Sequence, residues 1–285
     1  MNLKENDLFA QHPRSWQDNR YVYAVISRRS GGLSVGVELN PDKVCNFDCV
    51  YCCVDRTVPA MVRQVDLEVL ADELDRMLGL VASGEIYGVE PLDKTPLPLR
   101  RLNDVAFSGS GEPTSCAKFG EACRVAAELL AKHKLTGAKI VVITNGTLLN
   151  RPGVVRAMEY LDGHNGEVWA KLDAGTEEYY GLVERTRVPF RRVIENIAGA
   201  GRVRPIVIQS LFMKLRGTPP TEAEIEAYVG RLRELMEKGC RIKLVQVYTV
   251  ARKPAEGFVT TVEECFLEGI AGKVRGLGVA AEVYA

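Results

Sequence analysis

No stretch of the sequence approaches the roughly 20 consecutive apolar residues that a bilayer-spanning helix requires, so a membrane span is excluded from the reading. Excess charge of either sign is also missing. Lys+Arg and Asp+Glu number 37 each, so the formal net charge is zero and bulk electrostatics do not advertise a polyanion binder. Histidine is scarce. His12, His133 and His164 are scattered without ligand spacing and read as surface residues rather than metal ligands. Cysteine is too sparse for a disulfide scaffold, with 8 thiols in 285 residues. The opening segment, Met1-Asn2-Leu3-Lys4-Glu5-Asn6-Asp7, is polar and shows no signal-peptide core. Together these absences predict reduced thiols and a cytoplasmic location.

The remaining composition, 46% hydrophobic and 26% charged, is that of an ordinary globular chain. Strand and helix patterns alternate along it with short turns, which predicts a parallel sheet covered by helices. Strands are expected at residues 33–39, 104–108, 139–144, 167–173, 205–212, 241–249 and 279–284. Helices are expected near 66–81, 119–132, 188–200, 221–238 and 262–274, and the proline-bearing stretch 84–101 reads as a long loop. This makes six core βα units with short additions at both ends. Six units are too few to close an eight-stranded barrel. No tandem repeat, low-complexity tract or linker interrupts the pattern, so one domain over residues 1–285 is expected, with its core at about 30–250.

The chemistry concentrates in one run, Cys45-Asn46-Phe47-Asp48-Cys49-Val50-Tyr51-Cys52. Three thiolates on one short loop can bind three irons of a [4Fe-4S] cube and leave the fourth iron open. A zinc knuckle would supply four ligands in two pairs, and no second pair lies nearby. A redox pair of Cys49 and Cys52 leaves Cys45 unexplained. Cys53 permits a shifted register of Cys45, Cys49 and Cys53, but adjacent thiols reach one cube poorly, and it reads as a packing neighbour.

Other polar groups fall at strand ends, where reactive groups gather in parallel α/β folds. They are the turn Ser108-Gly109-Ser110-Gly111-Glu112-Pro113-Thr114, the turn Thr144-Asn145-Gly146-Thr147, the pair Lys171 and Asp173 on one strand face, and Gln209. Taken alone, the two turns also read as a loop and a helix cap. Lys171 reads first as an ion-pair partner, with a phosphate ligand or a Schiff-base amine as alternatives. Tyr248, Arg252 and Lys253 close the sixth strand and read as substrate-side residues. Arg185, Arg187, Arg191, Arg192, Arg202 and Arg204 cluster against one acid, Glu195. A solvated helix face is the favoured reading of that cluster over phosphate contacts to RNA.

The Cys-x3-Cys-x2-Cys spacing with Tyr51 before the last thiol resembles the signature of the radical SAM superfamily, and the later motifs extend the resemblance over residues 30 to 250. It implies an α/β fold, the open partial (βα)6 TIM-type barrel. It also implies a [4Fe-4S] cluster on Cys45, Cys49 and Cys52, with S-adenosylmethionine chelated to the open iron. Reductive cleavage of that cofactor to a 5′-deoxyadenosyl radical would then abstract hydrogen from a substrate. The turn Gly109-Ser110-Gly111-Glu112-Pro113 resembles the superfamily's Gly-Gly-Glu-Pro motif, which holds the cofactor's amino group, with Ser110 departing from the glycine doublet. By the same resemblance Tyr51, Asn145, Asp173 and Gln209 are cofactor-side residues, and Lys171 is a catalytic candidate. A flavodoxin or ferredoxin-like protein would donate the electron.

Gly111-Glu112-Pro113-Thr114, Lys171-Leu172-Asp173-Ala174-Gly175-Thr176 and Tyr248-Thr249-Val250-Ala251-Arg252 together resemble the wyosine-related branch, in bacterial members of unassigned role. The tricyclic-base enzymes carry extra N-terminal cysteines for a second cluster, and no cysteine precedes Cys45 here. Cys116, Cys123, Cys240 and Cys265 lack the compact spacing of an auxiliary cluster. A nucleoside in transfer RNA (tRNA) is therefore the first substrate class expected. A small metabolite or a glycyl-radical partner protein follows, and a non-catalytic iron–sulfur redox sensor is the alternative outside enzymes.

Overall fold

The computed structural model describes residues 16–60 and 62–285; the polar segment Met1–Asp7 and His12 lie outside them. The chain divides into two compact units. The first takes in residues up to Val44, Pro59–Ile143 and Arg151–Glu167, and the second Cys45–Val58, Thr144–Asn150 and Val168–Ala285.

In the first unit, β1 (Val22–Ser27) pairs antiparallel with β2 (Gly32–Val37), and β2, β3 (Leu102–Phe107) and β4 (Lys139–Thr144) follow in parallel. Val35, Val37, Val105, Phe107, Ile140, Val141 and Val142 are fully buried. The unbroken apolar run Ile140–Ile143 of β4 is what a strand buried on both faces demands. Helix α1 (Leu67–Ser83) starts where the Asp66 carboxylate accepts from the N–H groups of Glu68 and Val69, and it stops at Gly84 in the left-handed region (φ 79°). It buries Leu70, Leu74, Met77 and Leu78, one stripe at helical spacing. Helices α2 (Phe119–Lys132) and α3 (Pro152–Asp162) follow β3 and β4.

The second unit holds β5 (Gly166–Lys171), β6 (Ile206–Leu211), β8 (Ile242–Tyr248) and β10 (Ala281–Tyr284), hydrogen-bonded in that order and all parallel. A small antiparallel pair, β7 (Lys214–Leu215) and β9 (Val259–Thr260), lies apart. Helices α4 (Glu177–Glu184) and α5 (Phe190–Val203) follow β5, α6 (Glu222–Glu237) follows β6, and α7 (Glu264–Arg275) follows β8. The threonines Thr176 and Thr221 cap α4 and α6 through their hydroxyls. The Ser210 hydroxyl meets Tyr228 of α6 at 2.7 Å, so the even-numbered positions of β6 face the helix and Gln209 faces away.

Six strands thus precede helices, as the alternation predicts. The two-residue strands β7 and β9 escaped the sequence reading, and so did three longer elements, β1, α3 and α4. Each of these three carries a signal. The run Tyr21–Ile26 is unbroken and apolar, α3 has Pro152 at its first turn with Val154, Ala157, Met158 and Leu161 at helical spacing, and α4 has the Thr176 cap followed by two acids. The stretch 84–101 carries short 3-10 turns and neither strand nor α-helix. No helix of the described residues is long and apolar enough to cross a membrane.

Candidate active site

The cysteine loop belongs to the second unit and is anchored by its apolar residues. Phe47 is buried and meets Tyr180 edge-on at 5.9 Å, and Val50 packs with Val183, Leu211, Met213 and Tyr248. The loop backbone is tied to the end of α4, where Asp48 N–H donates to the Glu184 carbonyl (3.0 Å) and Val50 N–H to that of Val183 (2.9 Å). Cys52 N–H closes a turn onto the Cys49 carbonyl at 2.9 Å. Cys45, Cys49 and Cys52 are left unbridged and partly exposed, and Cys53 is exposed. Such a loop projects three thiols from an anchored backbone.

Asn145 stands against the same loop. Its amide donates to Asn46 Oδ1 (2.7 Å), Asn46 donates to the Thr147 hydroxyl (2.7 Å), and Thr147 donates back to Asn145 Oδ1 (2.7 Å). Asn196 of α5 holds the turn by donating to the carbonyls of Gly146 and Thr147.

Tyr51, Lys171 and Asp173 form a second cluster with Glu184 and Tyr248. The Tyr51 hydroxyl donates to Asp173 Oδ2 (2.5 Å), and Lys171 Nζ sits 3.1 Å from the same oxygen and 2.7 Å from the Tyr248 hydroxyl. The ammonium also lies over the Tyr51 and Tyr248 rings, at 4.8 and 5.2 Å from their centroids. Asp173 Oδ1 accepts from the Leu211 N–H (2.7 Å). Burial alone would lower the Lys171 pKa, but Asp173, Tyr248 and Glu184 outweigh it and hold the ammonium above its usual range. In this structure Lys171 is the ion-pair partner of Asp173.

Glu184 was not singled out in the sequence. It is buried, and its carboxylate lies 2.6 Å from the Cys49 sulfur, across 135 residues of chain. Burial and then the Glu184 charge push the Cys49 thiol well above its ordinary pKa. Burial and then Asp173 do the same to Glu184 itself. Arg56 was also missed, and its Nη1 donates to the Cys52 sulfur at 3.4 Å. Neither residue has a local sequence signal.

Gln209 pairs in register with Lys171 on β5 and with Gln246 on β8, and its Nε2 donates to Gln246 Oε1 at 2.8 Å. Its own Oε1 is buried without a protein partner. An unsatisfied buried acceptor costs about 1–3 kcal/mol, and a bound donor relieves that cost.

The glycine-rich turn belongs to the first unit. Glu38, also missed in the sequence, is buried there and accepts from the N–H groups of Asn40 and Ser110 at 2.7 Å each. The Ser110 amide is therefore engaged within the protein. A Cβ on Gly111 would fall 2.2 Å from the Val44 carbonyl oxygen, so only glycine fits there. Glu112 caps the short turn after it, accepting from Thr114 N–H at 3.2 Å.

Three thiols are the donor type an iron–sulfur cube takes, and among the described residues no three His, Cys, Asp or Glu side chains are already gathered as a metal site. A cube takes one thiolate per iron, so its cysteines stand apart on an anchored loop. Three partly exposed, unbridged thiols on a loop anchored by the buried Phe47 and Val50 answer that need. His133 pairs with Asp75 and His164 stacks on Tyr160, both away from this loop in sequence and partners.

The profile of the Radical SAM superfamily matches residues 39–225, and the chain belongs to that superfamily. Among solved structures, a radical SAM methyltransferase from Sphaerobacter thermophilus matches with a TM-score of 0.62 and 14% identity, over 92% of this chain and 68% of that one. SuiB from Streptococcus suis, solved with S-adenosylmethionine, matches with a TM-score of 0.56 and 14% identity, over 90% of this chain and 49% of that one. These likenesses show the fold, the α/β partial barrel of radical SAM enzymes. A UPF0026 protein of Helicobacter pylori is 28% identical over 50% of this chain and 40% of its own length. The matches span 23–48% of the length of the curated relatives.

Proposed function

We propose that this chain acts as one radical SAM domain, in the cytoplasm, with a [4Fe-4S] cluster on Cys45, Cys49 and Cys52 and S-adenosylmethionine as its cofactor. When bound, the cluster supplies the electron that cleaves the cofactor to methionine and a 5′-deoxyadenosyl radical, which abstracts hydrogen from the substrate. The protein's own work is to bind, orient and exclude. The observation that carries this reading is the anchored loop of three unbridged thiols with the Lys171–Asp173–Tyr51 cluster hydrogen-bonded beside it.

Each residue then has a stated task. Lys171 and Tyr51 fix one oxygen of Asp173 and the Leu211 amide engages the other, so the carboxylate is rigid enough to bond ribose hydroxyls. Asn145 faces the cofactor's ribose or carboxylate. The turn Gly109–Glu112 takes the amino group. Because the Ser110 amide is committed to Glu38, the acceptors of that turn, and not the Ser110 N–H, do the binding. Gln209 offers its unpartnered oxygen to a donor on the cofactor or substrate. The electron comes from a flavodoxin or ferredoxin-like protein. The substrate is a tRNA nucleoside, a reading supported by the wyosine-like combination of strand-end motifs, with a small metabolite or a glycyl-radical partner protein as the next classes.

The test is mass spectrometry of anaerobically reconstituted protein with reductant and S-adenosylmethionine, with and without undermodified tRNA. 5′-Deoxyadenosine should form, and Cys49→Ala should fold yet form none. A tRNA mass shift or a faster cleavage with tRNA supports the substrate class. Cleavage indifferent to tRNA removes that class, and no cleavage by cluster-replete protein removes the enzyme in favour of a redox sensor.

A further inference from the structure

The sulfur of Cys52 has a cationic neighbour that is tethered in place. Arg56 Nη1 donates to it at 3.4 Å and lies 3.9 Å from Asp48 Oδ1. Asp48 belongs to the cysteine loop, and its other oxygen is 3.9 Å from Arg185 Nη1, which Glu256 fixes at 2.5 Å. The turn carrying Arg56 is held from the other side, where Ala255 N–H donates to the Cys52 carbonyl at 3.1 Å. The side chain is only one-third exposed, so the guanidinium rests on the sulfur side and is not fully solvated.

We propose that Arg56 is a positioning residue that raises the reduction potential of the cluster through an N–H···S bond to Cys52. The inference rests on the proposed iron–sulfur reading. Three thiolates on an oxidised [4Fe-4S] core sum to one negative charge, and gaining one electron makes it two. A fixed cation against one of the sulfurs stabilises the reduced form more than the oxidised form. Hydrogen bonds to the sulfurs act in the same direction. Cys49 stands in contrast, facing the Glu184 carboxylate. Of the two ends of the Cys49–Cys52 turn, therefore, only Cys52 meets a cation. Arginine suits the place because its guanidinium stays charged and its Nη1 meets both the sulfur and Asp48.

The experiment is an anaerobic redox titration followed by electron paramagnetic resonance, with titanium(III) citrate as the electron source and no S-adenosylmethionine present. Wild type, Arg56→Lys and Arg56→Gln are compared after iron assay. At a fixed potential, Arg56→Gln should lower the reduced-to-oxidised ratio about tenfold, about 59 mV for one electron. Arg56→Lys, which keeps the charge and loses the fork, should fall between. Equal midpoints for wild type and a cluster-replete Arg56→Gln overturn the inference. Should Arg56→Gln lose its iron, Arg56→Lys decides: a midpoint below wild type supports the role, and one equal to wild type overturns it. A wild type that assembles no cluster fails at the iron assay, before any titration, and overturns the iron–sulfur reading together with this one.

Discussion

Both units bury carboxylates, and two in each make a contrast: Glu73 and Glu38 of the first have backbone partners, whereas Asp173 and Glu184 of the second have mainly side-chain partners. In the first unit, Glu73 accepts from the N–H groups of Arg20, Tyr21 and Val22 at 2.8, 2.8 and 3.1 Å. Glu38 accepts from Asn40 and Ser110 in the same way. Each acid stands in for a missing peptide carbonyl and ties a loop or strand start to its surroundings. In the second unit, Asp173 and Glu184 share their surroundings with Lys171, Tyr51, Tyr248 and Cys49. Tyr51, Glu184 and Cys49 are all pushed well above their ordinary pKa values, burial being the first cause for each. Backbone struts hold a shape, while mutually facing titratable groups mark the places where chemistry collects. Glu224 shows that the second unit also uses struts, since it accepts from Gly175 and Thr176 and so fixes the turn after Asp173.

The comparison breaks most visibly at Lys171. Lys171→Met removes the cation and leaves Asp173 buried, which should cost about 3–5 kcal/mol in a urea denaturation. Adding Asp173→Leu should restore most of that stability while leaving 5′-deoxyadenosine formation abolished. A double variant as unstable as the single would make this cluster a strut after all. In the first unit, Glu73→Ala should cost about 2–4 kcal/mol, because three backbone donors lose their acceptor. No second side-chain substitution should rescue it, since the partners are main-chain. The smallest effect is expected at Asp75, an acid with side-chain partners on the surface, whose pKa Lys132 and His133 hold below the ordinary value. A depressed folded value stabilises at neutral pH, and the gain is lost as pH falls from about 4 through the folded value. Screening limits that contribution to under about 1 kcal/mol. Asp75→Asn should therefore narrow the urea-midpoint gap between pH 7 and pH 3 only slightly.

Much of the architecture was legible. Leu70, Leu74, Met77 and Leu78 repeat at helical spacing behind the Asp66 cap, and 139–144 is almost wholly β-branched. The strand β1 is buried on both faces and so shows no alternation, and it is less rich in β-branched residues than 139–144. Of the polar candidates, Tyr51, Lys171 and Asp173 come together in one cluster and Asn145 meets the cysteine loop. Ser110 has its amide engaged by Glu38, an acid 72 residues away that no motif flags.

What the sequence determined by itself is whatever a few neighbouring residues encode: the thiol spacing in 45–52, the helix caps, the βα rhythm and the glycine-bearing turns. These depend on local geometry, where side chain and backbone are covalently close. Tertiary structure alone decided which carboxylate faces Cys49, which cation rests on Cys52, and that Tyr51 and the Leu211 amide join Lys171 in pinning Asp173. A hydrogen bond or ion pair requires its partners within a few ångströms, and only the folded path of the chain brings Glu184 to Cys49 across 135 residues.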